Sequence, residues 1–316
     1  MSEQAAKTIR FGSSWSTQFR LTQAIGKGLA GLTRVNATVV VGDRGLAGLE
    51  RDEVDLLFSK SVVNAHQAAG AGLYAGPAPA TWLRAIAWLP QDDRFLYAVA
   101  PWTGITSFED IAAKHPPLKM VGQGGEAVLK AYGFSYADIP AWGGALRRAP
   151  HTATAAEDLQ AQGNLDAWFG DGSAFDGSNW RWLAEQGYLF LDVSEPAMQR
   201  LEAQGLRRHL TPAGFLPGIT RTLLALDDSH IVLTCHERLD DELAYLLAKV
   251  VDEHARDIEY ESIQVTAGDD PVLSLLPRPT MWSSLTGHIE RQWDRDIVGA
   301  PLHPGAERYY KERGVL

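Results

Sequence analysis

The segment "GSSWST", residues 12–17, brings hydroxyl side chains together beside one indole. It follows the apolar stretch "TIRF" and precedes the helical pattern "STQFRLTQAIGKGLAGL", so it is predicted to form a strand-to-helix turn. Backbone N–H groups at a helix start lack partners within the helix, and the helix dipole favours an anion there. Trp15 would add a flat apolar wall. The residues that would add hydroxyl donors are Ser13, Ser14, Ser16 and Thr17. The turn therefore predicts an anion-binding loop, and an ordinary helix N-cap is the alternative.

A second polar group, "FSKS" at residues 58–61, comes at the end of the apolar stretch "VDLLFS". That stretch is predicted to be a strand, so Ser59 and Lys60 would lie at its carboxyl end. Lys60 could be the counter-charge of a carboxylate, and a solvated lysine is the alternative. An arginine fork would suit a carboxylate better than an ammonium group. The arginines that could supply such a fork are Arg44, Arg147, Arg148 and Arg221.

The glycine-rich segment "GQGG", residues 122–125, ends another predicted strand and opens a helix. Gln123 and Gly124 could donate hydrogen bonds to a ligand from the opposing lobe. The alternative is a tight turn that needs glycine for its φ values. The sequence leaves both interpretations open.

Ten tryptophans are many for 316 residues, and some lie near predicted strand ends. Trp142, Trp168 and Phe169 are in such positions. An apolar or aromatic ligand would explain several aromatic side chains facing one cleft. Trp168 is the candidate for lining a ligand, and burial in the core is the alternative for each of these residues.

No catalytic or metal-binding constellation is found in the sequence. Cys235 and His236 are neighbours, and adjacent side chains diverge, so they form a poor nucleophile–base pair. "GKGLAG", residues 26–31, matches Gly-x-Gly-x-x-Gly but lies in a predicted helix rather than directly after a strand. The single cysteine excludes an internal disulfide and a cysteine metal cluster, and the nine histidines lack ligand spacing. We predict no catalytic residue, no metal and no cofactor.

The composition and net charge argue against two classes of partner. Apolar residues make up 45% and charged residues 22% of the chain, as in soluble globular proteins. The net charge of −10 argues against nucleic acid or an anionic membrane surface as a partner. The sequence contains no run of about 18 apolar residues, so no bilayer-spanning helix is predicted. The start "MSEQAAKTIRFGSS" lacks the apolar core of a signal peptide, so the chain is cytoplasmic or its export signal has been removed.

Short apolar runs alternate with helical patterns along the chain, which predicts an α/β fold. The first β-α-β-α-β series is typical of a doubly wound sheet, in which ligands bind beyond the carboxyl ends of the strands. The alternation of strands and helices restarts after two further predicted strands, "RAIAWLP" and "FLYAVAP". Two late predicted strands return the chain to the first lobe, "RTLLAL" and "HIVLTC". We predict two doubly wound lobes, residues 1–99 with 219–316, and residues 100–218. Two chain crossings would make a hinge, and a hinge makes a cleft that can close.

The C-terminus "PLHPGAERYYKERGVL" closely resembles the terminal signature of the TAXI solute receptors, the substrate-binding subunits of one class of tripartite (TRAP) transporters. "GSSWSTQFRL" aligns without a gap on the family's loop, which usually reads Gly-Ser-x-Gly-Gly-Thr-Tyr-Tyr-Pro-Leu. "TGITSFEDI", "LKAYGF", "NLDAWF" and "LDDELAYLLAKVV" resemble further family segments, in the same order. The resemblance thus covers nearly the whole chain.

The resemblance implies a type II periplasmic-binding-protein fold, with a small, usually anionic, organic solute between the lobes. It also implies a periplasmic location and a membrane permease subunit as partner. Trp15, Gln18 and Arg20 stand where the family usually has Gly, Tyr and Pro. Trp15 would narrow the pocket and add an aromatic wall, so an aromatic carboxylate fits the expectation.

Two alternatives remain at the level of the sequence. The same fold class hosts enzymes that act on organic acids, such as decarboxylases or lyases, although this is an analogy of fold alone. A cytoplasmic sensor whose closed form binds another protein is the other alternative. We predict capture of a small organic acid, without covalent chemistry, because no nucleophile or acid–base pair can be assembled from the sequence.

Overall fold

The computed structural model describes residues 7–13, 16–42, 45–89, 94–122, 124–147, 165–171, 177–229, 231–255, 258 and 298–316. The chain divides into two compact units. The first unit comprises Met1–Asp92 and Ser229–Leu316, and the second comprises Asp93–Asp228. The chain therefore passes from one unit to the other twice.

Strands and helices alternate along most of the described chain. The strands are β1 Lys7–Ser13, β2 Val35–Val41, β3 Leu56–Lys60, β4 Leu83–Leu89, β5 Phe95–Val99, β6 Lys119–Gly122, β7 Ala145–Arg147, β8 Ala167–Asp171, β9 Leu189–Phe190, β10 Arg208–Thr211, β11 Leu223–Leu226 and β12 Ile231–His236. The helices are α1 Ser16–Leu32, α2 Gly45–Glu50, α3 Ser61–Ala69, α4 Phe108–Lys114, α5 Glu126–Ala131, α6 Asp138–Ala141, α7 Gly177–Glu185, α8 Glu195–Glu202, α9 Asp241–Glu253 and α10 Pro304–Glu312. A 3₁₀ turn spans Pro101–Thr103.

Each unit contains one open, mixed five-stranded sheet. In the first unit the strand order is β2-β1-β3-β12-β4, with β1 parallel to both neighbours and β12 antiparallel to both of its own. In the second unit the order is β7-β6-β8-β5-β9, with β6 parallel and β5 antiparallel to their neighbours. In both sheets the antiparallel fourth strand is the one that follows a passage of the chain between units. The predicted α/β class is confirmed.

The two units differ from the predicted lobes in where β5 and β11 belong. The predicted bounds assigned both strands to the first lobe. However, β5 pairs with β8 and β9, and β11 forms an antiparallel ribbon with β10, all within the second unit. The reason is that an apolar run predicts a strand but does not indicate its partners, which are distant in sequence.

Local signals in the sequence correctly placed two helix starts. The Ser107 hydroxyl accepts the backbone N–H of Asp110 at 3.1 Å and caps α4. The Asp240 carboxylate accepts the N–H of Leu243 at 3.0 Å and caps α9. The sequence indicates both helix starts, the first by Ser107 with Asp110 three residues on, and the second by Asp240 or Asp241 before an apolar helical stripe. The segment "HTATAAEDLQAQG", in which Thr154 and Glu157 predict a capped helix, lies outside the described residues.

The C-terminal signature packs against the body of the first unit. Gly305 lies so close to α9 that a Cβ there would be 2.0 Å from the Asp241 carbonyl oxygen. Tyr309 and Tyr310 are buried, and the Tyr310 hydroxyl donates to the Ile86 carbonyl of β4 at 3.2 Å. The residues that make the family resemblance most specific therefore join α9, α10 and β4.

Candidate functional site

Two candidate segments of the first unit lie at the same edge of its sheet. β1 and β3 are adjacent and parallel, so their carboxyl ends, Ser13 and Lys60, lie on one side. α1 begins at Ser16 and α3 at Ser61, which places both helix N-termini at this edge. Ser14 and Trp15 lie outside the described residues, and so do the side chains of Ser13, Ser16 and Thr17. The arrangement brings together the backbones of the "GSSWST" and "FSKS" segments.

The N-terminus of α3 lacks a side-chain cap. Its N-cap residue is Lys60, with an extended backbone at φ −94° and ψ 142°, and it makes no side-chain capping bond. A lysine ammonium only donates hydrogen bonds, so the Lys60 side chain cannot accept hydrogen bonds from the backbone N–H groups of the first turn. The first turn of α3 therefore has backbone N–H donors that its N-cap side chain does not cap, and such a helix start is a place where anions bind.

The Ser59 side chain forms hydrogen bonds inside the unit. Its hydroxyl donates to Asn64 Oδ1 at 2.7 Å and lies 3.2 Å from the hydroxyl of Thr234. Thr234 in turn donates to the Leu57 carbonyl, and the Asn64 amide donates to the Val298 carbonyl. Asn64 and Thr234 are both fully buried. These contacts give Ser59 a structural role, because they fix the turn in which Lys60 stands.

The candidate turn of the second unit is held tightly by aromatic residues. Gly124 and Gly125 have φ of +69° and +61°, which side chains other than that of glycine rarely allow. The Tyr136 hydroxyl donates to the Gly124 carbonyl at 2.8 Å, and a Cβ on Gly124 would lie 2.6 Å from the Phe95 ring. These observations support the tight-turn interpretation of "GQGG". Gln123 lies outside the described residues.

Trp168 belongs to the core of the second unit. Its side chain is 3% exposed, and its ring lies 5.1 Å from that of Trp180, which is also buried. Leu96, Ala98 and Phe190 are members of the same buried cluster. The core alternative is the one that these contacts support.

Two of the four candidate arginines, Arg147 and Arg221, lie among the described residues. Arg221 forms an ion pair with Asp192 and is largely exposed. Arg147 is exposed at the end of β7, while Arg44 and Arg148 lie outside the described residues. Arg94 is a further buried cation, and its guanidinium lies 4.4 Å from the centre of the Phe215 ring. Its one sequence signal is a charged residue directly before the apolar strand "FLYAV".

The geometry of Cys235 and His236 is unsuited to nucleophilic catalysis. Cys235 is fully buried, and burial raises the pKa of its thiol, which keeps it protonated. The His236 ring stacks on Trp82 at 4.8 Å.

Among the described residues no group of three or more acidic, histidine or cysteine side chains could hold a metal ion. In the same part of the chain no helix combines the length and apolarity that crossing a membrane requires.

Solved structures of several binding and regulatory proteins are similar to this chain. XAC2383 from Xanthomonas citri bound to ATP is 12% identical, with 92% of this chain and 99% of that one covered and a TM-score of 0.47. The glycine/betaine/L-proline-binding protein ProX from Borrelia burgdorferi is 11% identical, with 88% and 99% covered and a TM-score of 0.46. The regulatory domain of MetR, a LysR family regulator from N. meningitidis, is 10% identical, with 82% and 96% covered and a TM-score of 0.43. No protein-family model matches the chain. At these values the likenesses assign no family, ligand or partner to it.

Proposed function

We propose that this chain is a solute-binding protein of the TAXI type that captures a small organic acid. The observation that carries the proposal is the pair of helix N-termini, those of α1 and α3, at one edge of the first sheet. Each N-terminus acts as roughly half a positive charge and offers N–H donors that the helix leaves free. A carboxylate held there would receive hydrogen bonds from both helices and would also offset the charge of Lys60.

Several residues have separate roles in this proposal. Ser13, Ser14, Ser16 and Thr17 supply hydroxyl donors, and Trp15 supplies the aromatic wall, so an aromatic carboxylate is the first ligand class to test. Lys60 is the counter-charge, and Ser59 positions it through Asn64 and Thr234.

Capture is favoured over catalysis because the described residues provide no activated nucleophile. Cys235 is buried as a protonated thiol, and its neighbour His236 is stacked on an aromatic ring. A binding protein needs only donors, charge and closure. The partner would be a membrane permease subunit that recognises the closed form. An enzyme acting on organic acids and a cytoplasmic sensor are the competing outcomes of the test.

The first experiment is mass spectrometry of any small molecule that copurifies with the chain, followed by a thermal-shift screen of carboxylates, aromatic acids included. A ligand at 100 times its dissociation constant stabilises the folded state by about 2.7 kcal/mol. Recovery of the unchanged acid supports capture. Recovery of a chemically altered acid would replace the proposal with the enzyme alternative, and a screen without any stabilising carboxylate would overturn it.

Two variants test the position of the site. Lys60→Gln removes the counter-charge, and Ser61→Pro removes one N–H donor at the first helical position of α3, where the extended Lys60 backbone accommodates a following proline. Each should weaken binding of the stabilising carboxylate about five- to tenfold. Lys7→Gln is the matched control, because Lys7 lies at the other end of β1. Equal affinities of Lys60→Gln and Lys7→Gln would exclude this edge as the site.

A further inference from the structure

The second unit presents one large aromatic side chain to solvent in a fixed orientation. Trp102 is 62% exposed and lies in the 3₁₀ turn Pro101–Thr103. The turn is closed by the Thr103 hydroxyl, which donates to the Ala100 carbonyl at 2.7 Å, and by Gly104 in the left-handed conformation. An exposed indole on such a turn is unusual, because leaving a large ring in water forfeits the free energy of its burial.

The indole is held by two contacts. Its Nε1–H donates to Asp166 Oδ1 at 2.9 Å, and its ring meets the buried ring of Tyr188 edge-on, with centroids 5.7 Å apart at 80°. The only polar atom of the Trp102 side chain therefore already has a hydrogen-bond partner. A partner can bind the aromatic surface, and because folding already fixes the ring, binding loses little further side-chain entropy.

Within the described part of the chain, the hydrogen-bond donors that reach the Asp166 carboxylate are neutral. Its Oδ1 accepts from the indole, and its Oδ2 accepts the backbone N–H of Lys119 at 2.9 Å; both donors are neutral. Throughout the described chain no cation forms an ion pair with this carboxylate. An unpaired carboxylate bonded to an exposed indole is a combination that suits a cation, which can meet the ring face and the charge together.

Next to this pair lies an apolar strand at the edge of the sheet. β9 pairs with β5, with Leu189 opposite Val99, three residues before Trp102. Leu189 is 41% exposed and follows Tyr188, whose ring contacts Trp102. Within the described residues β9 is the last strand of its sheet, so its outer backbone groups can pair with an added extended segment.

We propose that Trp102, Asp166 and Leu189 form a docking site for an extended segment of a partner protein that carries an arginine. The guanidinium stacks on the Trp102 ring and donates to Asp166, and an apolar neighbour covers Leu189. Arginine suits the site better than lysine, because its planar group stacks and donates simultaneously. Lys119 and Asp166 stand at the amino ends of β6 and β8, the edge of the sheet opposite the "GQGG" turn. The docking site therefore shares no residue with the proposed solute site.

The test uses the full ¹⁵N-labelled chain and a synthetic acetylated tetrapeptide, valine-arginine-valine-threonine amide. Its matched control has citrulline, a neutral analogue of the same shape, in place of arginine. The Trp102 indole N–H signal, assigned from Trp102→Phe, should shift saturably with the arginine peptide below about 10 mM. The indole signal of Trp142, which stacks on His115 elsewhere in the unit, is the internal control and should stay fixed.

Variants connect the binding to the named residues. Asp166→Asn should weaken binding of the arginine peptide about fivefold, as expected for losing an exposed charge pair. Trp102→Ala leaves the Asp166–Lys119 bond intact and should abolish saturation transfer to the arginine side chain of the peptide. Equal shifts with the citrulline peptide, no shift of Trp102, or unchanged affinity in Trp102→Ala would each overturn the proposal.

Discussion

The close contact between α10 and α9 predicts that Gly305→Ala destabilises the first unit. A Cβ on Gly305 would lie 2.0 Å from the carbonyl oxygen of Asp241, 2.8 Å from its carbonyl carbon and 3.0 Å from the backbone nitrogen of Tyr245. Contacts of a Cβ below 3.0 Å hardly occur, so the two backbones must separate by about 1 Å. The clash is with backbone atoms, which no rotamer change relieves.

The magnitude follows from what this separation disturbs. Overpacking of a well-packed contact costs about 1–3 kcal/mol. The bond from Tyr310 to the Ile86 carbonyl, already 3.2 Å long, would lengthen further, at a cost of about 1 kcal/mol. The expected loss is about 2–4 kcal/mol, or about 4–16 °C in the melting temperature of a unit of this size.

The assay is unfolding in urea, monitored by the alkylation of Cys235. This single cysteine is fully buried in the first unit and becomes reactive when that unit unfolds. Gly31→Ala is the matched control, since a Cβ there meets no atom within 4 Å and the residue lies in α1. Gly31→Ala should be neutral or stabilising by up to about 1 kcal/mol. If Gly305→Ala unfolds at the same urea concentration as the wild type, the steric argument is wrong.

Three further outcomes follow from side chains of the first unit. Ser59→Ala should cost about 1–3 kcal/mol of unfolding free energy, because Asn64 Oδ1 loses its donor in a buried site; an unchanged urea midpoint would contradict this. Burial lowers the pKa of His303, whose Nδ1 accepts the N–H of Gly305, so the unfolded chain binds the proton more readily. The contribution of His303 to the free energy of unfolding should therefore be fully present above the unfolded pKa of about 6.5 and should fall as the pH drops toward the folded pKa. In urea titrations at pH 5 to 8, His303→Asn should flatten that pH dependence. Cys235 in the native chain should resist iodoacetamide, and rapid labelling without urea would show that its burial is wrong.

The candidate site shows where sequence reasoning stops. Lys60 was correctly expected at the carboxyl end of a strand, because an apolar run followed by polar residues indicates a strand end. That pattern does not indicate that the hydroxyl of Ser59 contacts Asn64 and Thr234. Thr234 is 175 residues away along the chain, and only the pairing of β12 with β3 brings it near.

Local interactions let the sequence by itself determine the α/β class, most helix and strand positions and the cap at Ser107, and they narrowed the cap of α9 to Asp240 or Asp241. Apolar periodicity and capping act over a few residues, so they can be recognised without knowing the fold. Only the tertiary structure decided that β5 belongs to the second unit, that Trp168 lies in its core and that Trp102 faces solvent. These outcomes depend on which strands pair and which faces are covered, and contacts between distant segments set both.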